Sequence, residues 1–447
     1  MSLKRDTLYT FLTQAPTLVL YFVASTLMTR ILGDEGRGAF ALLQNQVSFM
    51  VLVMGFGLGF GSTYFTAKDH GDPTRIVRIC ASLLLINMVL VPATFLLVFG
   101  HAHLRNVFIP AKATHWAYLA YLVLTVILTQ LTSFISSILL GLKKFRALNQ
   151  MSIAGAALNA VAFLVLYLVR GHIAPERVLP WVLGILLGIT LIIALLWVAI
   201  YVRMVGIPPV PTWDMTLIRP VFTFVMISYL GNFIHLINYR FDVWVVGSYA
   251  GTAQLGLYTV AVSLGQMFFY IPDPFAKVIQ PYLFGEMSPA LLAKFKFIMR
   301  LSCTTVAILA ACLGLAAPWL VPGLFGSVFR DSISALWWLL PGIIFVCASK
   351  LLGLLVIQGN MIRFNLYGAA AAAVVTIGLD FLLVPRWGIT GAAVASSLAY
   401  LTNLVVQGAV VRNRLKISLH DMFILHLSDF ARLRQLAQER LAITRGN

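Results

Sequence analysis

Gly231–Gly247 reads GNFIHLINYRFDVWVVG. The stretch is apolar enough for a bilayer, yet it carries Asn232, His235, Asn238, Arg240 and Asp242. An ionisable group inside a membrane helix costs roughly 2.5–3.5 kcal/mol on insertion scales, and it faces a cavity, a partner or a transport path. Arg240 and Asp242 are two positions apart, about 200° around a helix, so they cannot simply neutralise each other. Each needs its own partner, which the rest of the chain must supply.

Composition agrees with a membrane setting. Of 447 residues, 60% are hydrophobic and 11% charged, and mean hydropathy is +0.92. A soluble globular protein does not need so much apolar surface. The formal charge of +17 would suggest nucleic acid in a soluble chain. Here the basic residues fall mostly in short breaks between apolar runs, which fits retention of Lys and Arg on the cytoplasmic side. Cys80, Cys303, Cys312 and Cys347 show no paired or metal-ligand spacing and read as packing residues. Lys4 and Arg5 precede a long first span without a clear cleavage site, so that span reads as retained.

The apolar runs place twelve spans at roughly 7–31, 39–66, 76–99, 116–140, 151–169, 180–202, 221–248, 255–283, 297–320, 334–358, 364–385 and 389–411. An even number puts both termini on one side. Before the tail, Lys and Arg in the breaks or at the span ends beside them number 14 on the side of the N-terminus and 8 on the other, so both termini are expected in the cytoplasm. The break from Arg203 to Pro220 holds Pro208, Pro209, Pro211 and Pro220 and suits an extended linker. The expected division is an N-terminal lobe over 1–206 with spans 1–6, a C-terminal lobe over 207–411 with spans 7–12, and a basic cytoplasmic tail over 412–447. Gly33 and Gly247 are 214 apart, while Gly38-Ala-Phe40 and Gly256-Leu-Tyr258, and Gly141 and Gly359, are 218 apart. A near-constant offset over an even number of spans suggests a parallel duplication. The expected fold is therefore all-α: about 12 transmembrane helices in two six-helix lobes, related by pseudo-two-fold symmetry around a central cavity.

Gly55-Phe-Gly-Leu-Gly-Phe-Gly61 lacks the strand and the Lys-Ser/Thr of a phosphate loop. It reads instead as two small-xxx-small pairs, Gly55/Gly59 and Gly57/Gly61, that let helices approach. Pro16, Pro272, Pro274 and Pro281 fall within spans 1 and 8 and can bend them. In the tail, Phe423, Leu427, Phe430, Leu433, Ala437 and Leu441 recur at helical spacing beside Arg432, Arg434 and Arg440. An amphipathic basic helix on the inner leaflet and a partly disordered tail both fit that pattern.

Thr29-Arg-Ile-Leu-Gly33 followed by Gly38-Ala-Phe40 resembles the first hairpin of the Wzx-type polysaccharide flippases. These belong to the multidrug/oligosaccharidyl-lipid/polysaccharide (MOP) superfamily, whose folds are of the MATE and MurJ kind. Tyr239-Arg-Phe-Asp242 with Gly256-Leu-Tyr258 resembles the start of their second half, and Pro385-Arg-Trp-Gly-Ile-Thr-Gly-Ala-Ala393 their span 11–12 turn. The resemblance runs from residue 1 to about 411. It implies a flippase in the bacterial inner membrane, working by alternating access in surface polysaccharide biosynthesis. Its cargo would be an oligosaccharide linked to a polyprenyl diphosphate of the undecaprenyl type. A polysaccharide polymerase and glycosyltransferases would be partners, and no catalysis by the chain itself is implied. A monomer without nucleic acid or a cofactor is expected.

Carrying a diphosphate across hydrocarbon needs fixed cations. The candidates are Arg30, Arg37, Arg240, Lys277 and Lys350, of which Arg30, Arg240, Lys277 and Lys350 form the expected cationic site. Snorkelling to the headgroups is the plain alternative for the two lysines. Among the carboxylates only Asp242, Asp273 and Asp380 lie well inside spans. Asp242 and Asp380 fall at similar depth, and Thr376 precedes Asp380 by one turn. These three could hold a coupling sodium ion or a proton. Three other readings compete. A MATE-like small-molecule exporter typically has an acidic residue inside span 1, absent here. A lipid II flippase usually has two further spans. A membrane polymerase or glycosyltransferase needs a large outer loop or a nucleotide-sugar domain.

Overall fold

The structure, a computed structural model, describes residues 3–68, 73–101, 104, 105, 116–206, 210, 211, 213, 215–273, 289–358, 361–423 and 429. Among these every regular element is helical. In chain order they are α1 (Leu3–Gly55), α2 (Leu58–Lys68), α3 (Thr74–Gly100), α4 (Trp116–Gly141), α5 (Phe145–Val169), α6 (Val178–Met204), α7 (Met215–Tyr249), α8 (Gly251–Gln266), α9 (Pro289–Phe325), α10 (Ser332–Gln358) and α11 (Ile362–Arg414), before a final short turn at His420–Phe423. By length and apolarity, eight described helices can cross a membrane, or nine if the bent pair within α7 counts as one span.

Two of these helices are too long to be single spans. α1 and α11 have 53 residues each, which is about 80 Å at 1.5 Å per residue, against a hydrocarbon layer of about 30 Å. Each is interrupted by a glycine outside helical geometry, Gly33 (φ 66°, ψ −172°) and Gly388 (φ 56°, ψ −134°). A positive φ is cheap only for glycine, so these residues divide the helices into spans 1 and 2 and spans 11 and 12. All the expected spans then find helical chain, except that residues 274–283 of span 8 lie outside the described residues.

The chain forms two compact units. One comprises Met1–Val260, Leu320–Ser332 and Phe381–Ile389; the other comprises Ala261–Trp319, Ile333–Asp380 and Thr390–Asn447. In the first, Leu43, Leu122, Val126 and Val182 centre one apolar cluster, and Leu58, Ile79, Leu139 and Val221 another. Large side chains turned outward, such as Leu168, Leu195 and Val161, suit hydrocarbon.

Span 2 is broken where the glycine run lies. Phe56 (φ 46°) and Gly57 (φ 71°) are left-handed and separate α1 from α2. The break removes helical donors from the carbonyls before it. Asn87 Nδ2 donates to one of them, Met54 O, at 2.9 Å and also to Gln130 Oε1 at 2.9 Å. The run also serves close packing: a β-carbon on Gly61 would lie 2.6 Å from Val225 Cγ1 on α7, and one on Gly59 would lie 3.6 Å from Ser133 and Ser137 on α4. Gly55 faces open space.

The closest backbone approach joins the starts of spans 2 and 8. A β-carbon on Gly38 would overlap the carbonyl oxygen of Thr252, and one on Gly256 would overlap that of Asp34. These contacts exchange under a shift of 218 positions, which maps Gly38 on Gly256 and Asp34 on Thr252. The same shift maps Gly33 on Gly251, and both have positive φ, 66° and 82°. The turn glycine matching Gly33 is therefore Gly251 rather than Gly247, and the offset is then 218 throughout.

In the second unit Met299, Leu352, Leu355, Val356 and Val411 pack together, and Met422 of the tail is fully buried among them. Arg300 on α9 holds Asp429 through two bonds, Nε to Oδ2 at 2.6 Å and Nη2 to Oδ1 at 2.7 Å. The tail through residue 423 is thus packed against this unit. Its basic stretch from 430 onward lies outside the described residues.

Candidate functional site

Several polar groups of the first unit lie on or against α7. Asp242 is buried; its Oδ1 accepts the Val243 backbone N–H at 2.8 Å and its Oδ2 the Tyr258 hydroxyl at 2.5 Å. Tyr258 is fully buried on α8. Arg240 is half-buried, and its guanidinium makes no hydrogen bond or ion pair among the described residues. Its backbone carbonyl accepts from Asn45 Nδ2 at 3.3 Å, tying α7 to α1. Arg37 is buried on α1, lies over the Phe40 ring at 5.7 Å, and is close enough to Arg240 for the two like charges to act on each other. Two cations drawn together away from bulk water favour an anion between or beside them.

Arg37 and Tyr258 stand outside the residues that sequence reasoning selected. Arg37 is a candidate cation by sequence, but hydropathy leaves it in a polar break, so it is left out of the expected site. It is buried because α1 resumes helical geometry just after Gly33 and the small Gly36 and Gly38 flank it. Tyr258 has a usable signal, since it closes the Gly256-Leu-Tyr258 motif.

Arg30 is exposed and spends its donors on backbone. Nε donates to Leu324 O at 2.5 Å and Nη2 to Gly323 O, and Tyr167 is a further partner. Those carbonyls belong to the last turn of α9, whose final acceptors have no helical donors. A cation there also complements the helix dipole.

In the second unit Thr376 and Asp380 are both buried, one turn apart on the same face of α11. Thr376 Oγ1 has no hydrogen-bond partner among the described residues. Lys350 Nζ pairs with Asp273 Oδ1 at 2.8 Å and lies 4.3 Å from the Phe269 ring centroid. Beside it runs a chain of side-chain bonds: Asn403 Nδ2 to Ser349 Oγ at 2.8 Å, Ser349 Oγ to Gln407 Oε1 at 2.7 Å, and Gln407 Nε2 to Asn365 Oδ1 at 3.1 Å. Lys277 lies outside the described residues. Among the described residues no three His, Cys, Asp or Glu side chains gather as metal ligands.

The structure thus sets Arg240 within electrostatic reach of Arg37, sets Asp242 on Tyr258, joins Lys350 to Asp273, and gives Arg30 to a helix end. Asp242 lies in one compact unit and Thr376 with Asp380 in the other.

Comparison with known proteins places these features in a lineage. Residues 3–287 match the sequence family described as polysaccharide biosynthesis protein. Among curated proteins none matches the chain. The fold is similar to that of the lipid II flippase MurJ in an inward closed conformation, with TM-score 0.66 and 13% identity over 93% of this chain and 89% of that one. It is similar also to a multidrug resistance MATE family transporter of the MOP superfamily, inward-facing, with TM-score 0.68 and 15% identity over 89% and 94%. A MOP superfamily transporter from Pyrococcus furiosus gives TM-score 0.58 and 15% identity over 92% and 95%.

Proposed function

Since the chain belongs to the polysaccharide biosynthesis protein family and is a multi-pass membrane protein with the MOP superfamily fold, we propose that it is a flippase for a lipid-linked oligosaccharide. The cargo is a sugar unit on a polyprenyl diphosphate of the undecaprenyl type. It crosses the bacterial inner membrane by alternating access of the lobes at 1–206 and 207–411, with both termini in the cytoplasm. The work is binding and movement, without covalent chemistry, by a monomer. Glycosyltransferases make the cargo and a polymerase consumes it.

The observation that carries this reading is the Arg37–Arg240 pair. A half-buried guanidinium that makes no ion pair among the described residues, within electrostatic reach of a second, buried one, suits a phosphate group. Arg grips phosphate oxygens through paired donors. Lys350 adds a cation in the second unit. Asp242, with Thr376 and Asp380, is the proposed set for a coupling sodium ion or proton. Buried carboxylates inside spans are costly unless they serve such a purpose.

The test is polymer export in cells, read together with the amount of folded protein in the membrane. Arg240→Ala should abolish export, since each lost charge-assisted bond to phosphate is worth roughly 1.5–3 kcal/mol. Arg240→Lys should recover part of it and Arg240→Gln none. Normal export by well-folded Arg240→Ala protein would rule out the cargo-binding role.

A further inference from the structure

Lys350 is a cation within a span that already holds an anion. The Lys350–Asp273 pair is not sealed, since the two side chains keep 25% and 41% of their exposure. The partners are held very differently. Ser349, next to Lys350, anchors α10 to α11 through Gln407 and Asn403, and Asn365 ties the same amide chain to Gly353 O at 2.9 Å. The backbone that carries Lys350 is therefore held against α11.

Asp273 follows a break in the helix. Pro272 has no N–H, so the Phe268 carbonyl loses its helical donor. That carbonyl instead accepts the Ile271 N–H at 3.0 Å and the Cys347 thiol at 3.7 Å. The chain there runs as a 3₁₀ turn, Met267–Tyr270. Pro274 follows Asp273 in sequence, so neither neighbour of Asp273 offers a backbone donor.

We propose that Lys350 is an anion-binding site that the chain's own Asp273 occupies, and that a phosphate group of the cargo displaces that carboxylate. Only the identity of the cargo rests on the flippase reading; the exchange itself rests on the pair. Charge balances in the exchange: the carboxylate leaves the ammonium and a phosphate oxygen takes its place, while the Phe269 ring keeps its face of the cation. Asp273 then acts as a specificity-determining residue. A singly charged carboxylate on a small solute competes poorly with a tethered one, whereas a diphosphate with several charged oxygens competes well. Displacement also frees the proline-broken segment that carries Asp273, which would link occupancy to movement of span 8.

The experiment measures binding of farnesyl diphosphate and inorganic pyrophosphate to purified protein in nanodiscs, with thermal melting as a folding check. Asp273→Asn should bind both probes about tenfold more tightly than wild type. Lys350→Gln, and the double variant, should bind more weakly than wild type. In wild-type protein, either probe should speed carbodiimide labelling of Asp273, read by mass spectrometry, because the carboxylate is released. That measurement does not depend on a variant folding. Asp273→Asn protein that binds neither probe more tightly, or labelling that stays unchanged on adding probe, overturns the exchange. If pyrophosphate shows the full pattern while cells lacking the protein export polymer normally, the flippase reading fails and the exchange stands.

Discussion

Arg240 and Asp242 are two positions apart and meet different fates. Asp242 accepts from a buried hydroxyl and a backbone N–H, while the Arg240 guanidinium donates no hydrogen bond and makes no ion pair among the described residues. The first is a satisfied buried acid, and the second is a half-buried cation with no such partner among the described residues. Tyr258→Phe should lower thermal stability by about 1.5–3 kcal/mol, because a buried carboxylate loses a charge-assisted bond. A melt unchanged from wild type would show that Tyr258 does not hold Asp242. Arg30 behaves as a structural residue despite its charge. Arg30→Ala should cost about 1 kcal/mol through loss of the cap on α9, read as a lower melting temperature. Because its donors are committed to Gly323 and Leu324, export per folded molecule should change little. A selective loss of export would instead return Arg30 to the cargo path.

At the scale of elements, glycines set both the turns and the contacts. Gly33, Gly251 and Gly388 place left-handed backbone where spans meet. Gly38 and Gly256 let α1 and α8 cross with no room for a β-carbon. Gly38→Ala and Gly256→Ala should each destabilise the protein by more than about 2 kcal/mol, since backbone must move to admit a methyl group. Because the two contacts are equivalent under the 218-position shift, the two losses should be similar. One severe and one neutral result would break that equivalence. The broken span 2 depends on Asn87, which is fully buried and caps Met54 O. Asn87→Ala should cost about 1–3 kcal/mol, because it leaves Met54 O without its buried donor.

At the scale of the molecule, Leu415, Ile417, Leu419, Met422 and Asp429, all after Arg414, pack within the second unit. Met422 is fully buried, and Arg300 and Asp429 are 8% and 3% exposed. Removing the chain after Arg414 should lower the melting temperature markedly. Asp429→Ala should cost about 3–5 kcal/mol by leaving a buried guanidinium unpaired, and Arg300→Met with Asp429→Leu should recover most of that loss. If the double variant is no better than the single one, the pair is not the cause. Orientation is testable on the same scale. A cysteine placed at Asn447 should resist an impermeant thiol reagent in intact cells and react once the membrane is opened.

The sequence by itself determined the membrane class, the number of spans and the turn glycine at Gly33. Those are set by hydropathy along the chain and by local backbone sterics, which need no neighbour. It also determined that Arg240 and Asp242 could not pair, because helix geometry alone separates them. Only the tertiary structure decided where the charges ended. Arg30 reached carbonyls at a sequence separation of 294, Lys350 reached Asp273 at 77, and Arg300 reached Asp429 at 129. It also buried Arg37, which hydropathy leaves in a polar break, and it moved the repeat partner of Gly33 from Gly247 to Gly251. Pairing depends on which helices lie side by side, and apolar periodicity carries little of that information because any lipid-facing stripe can equally face another helix.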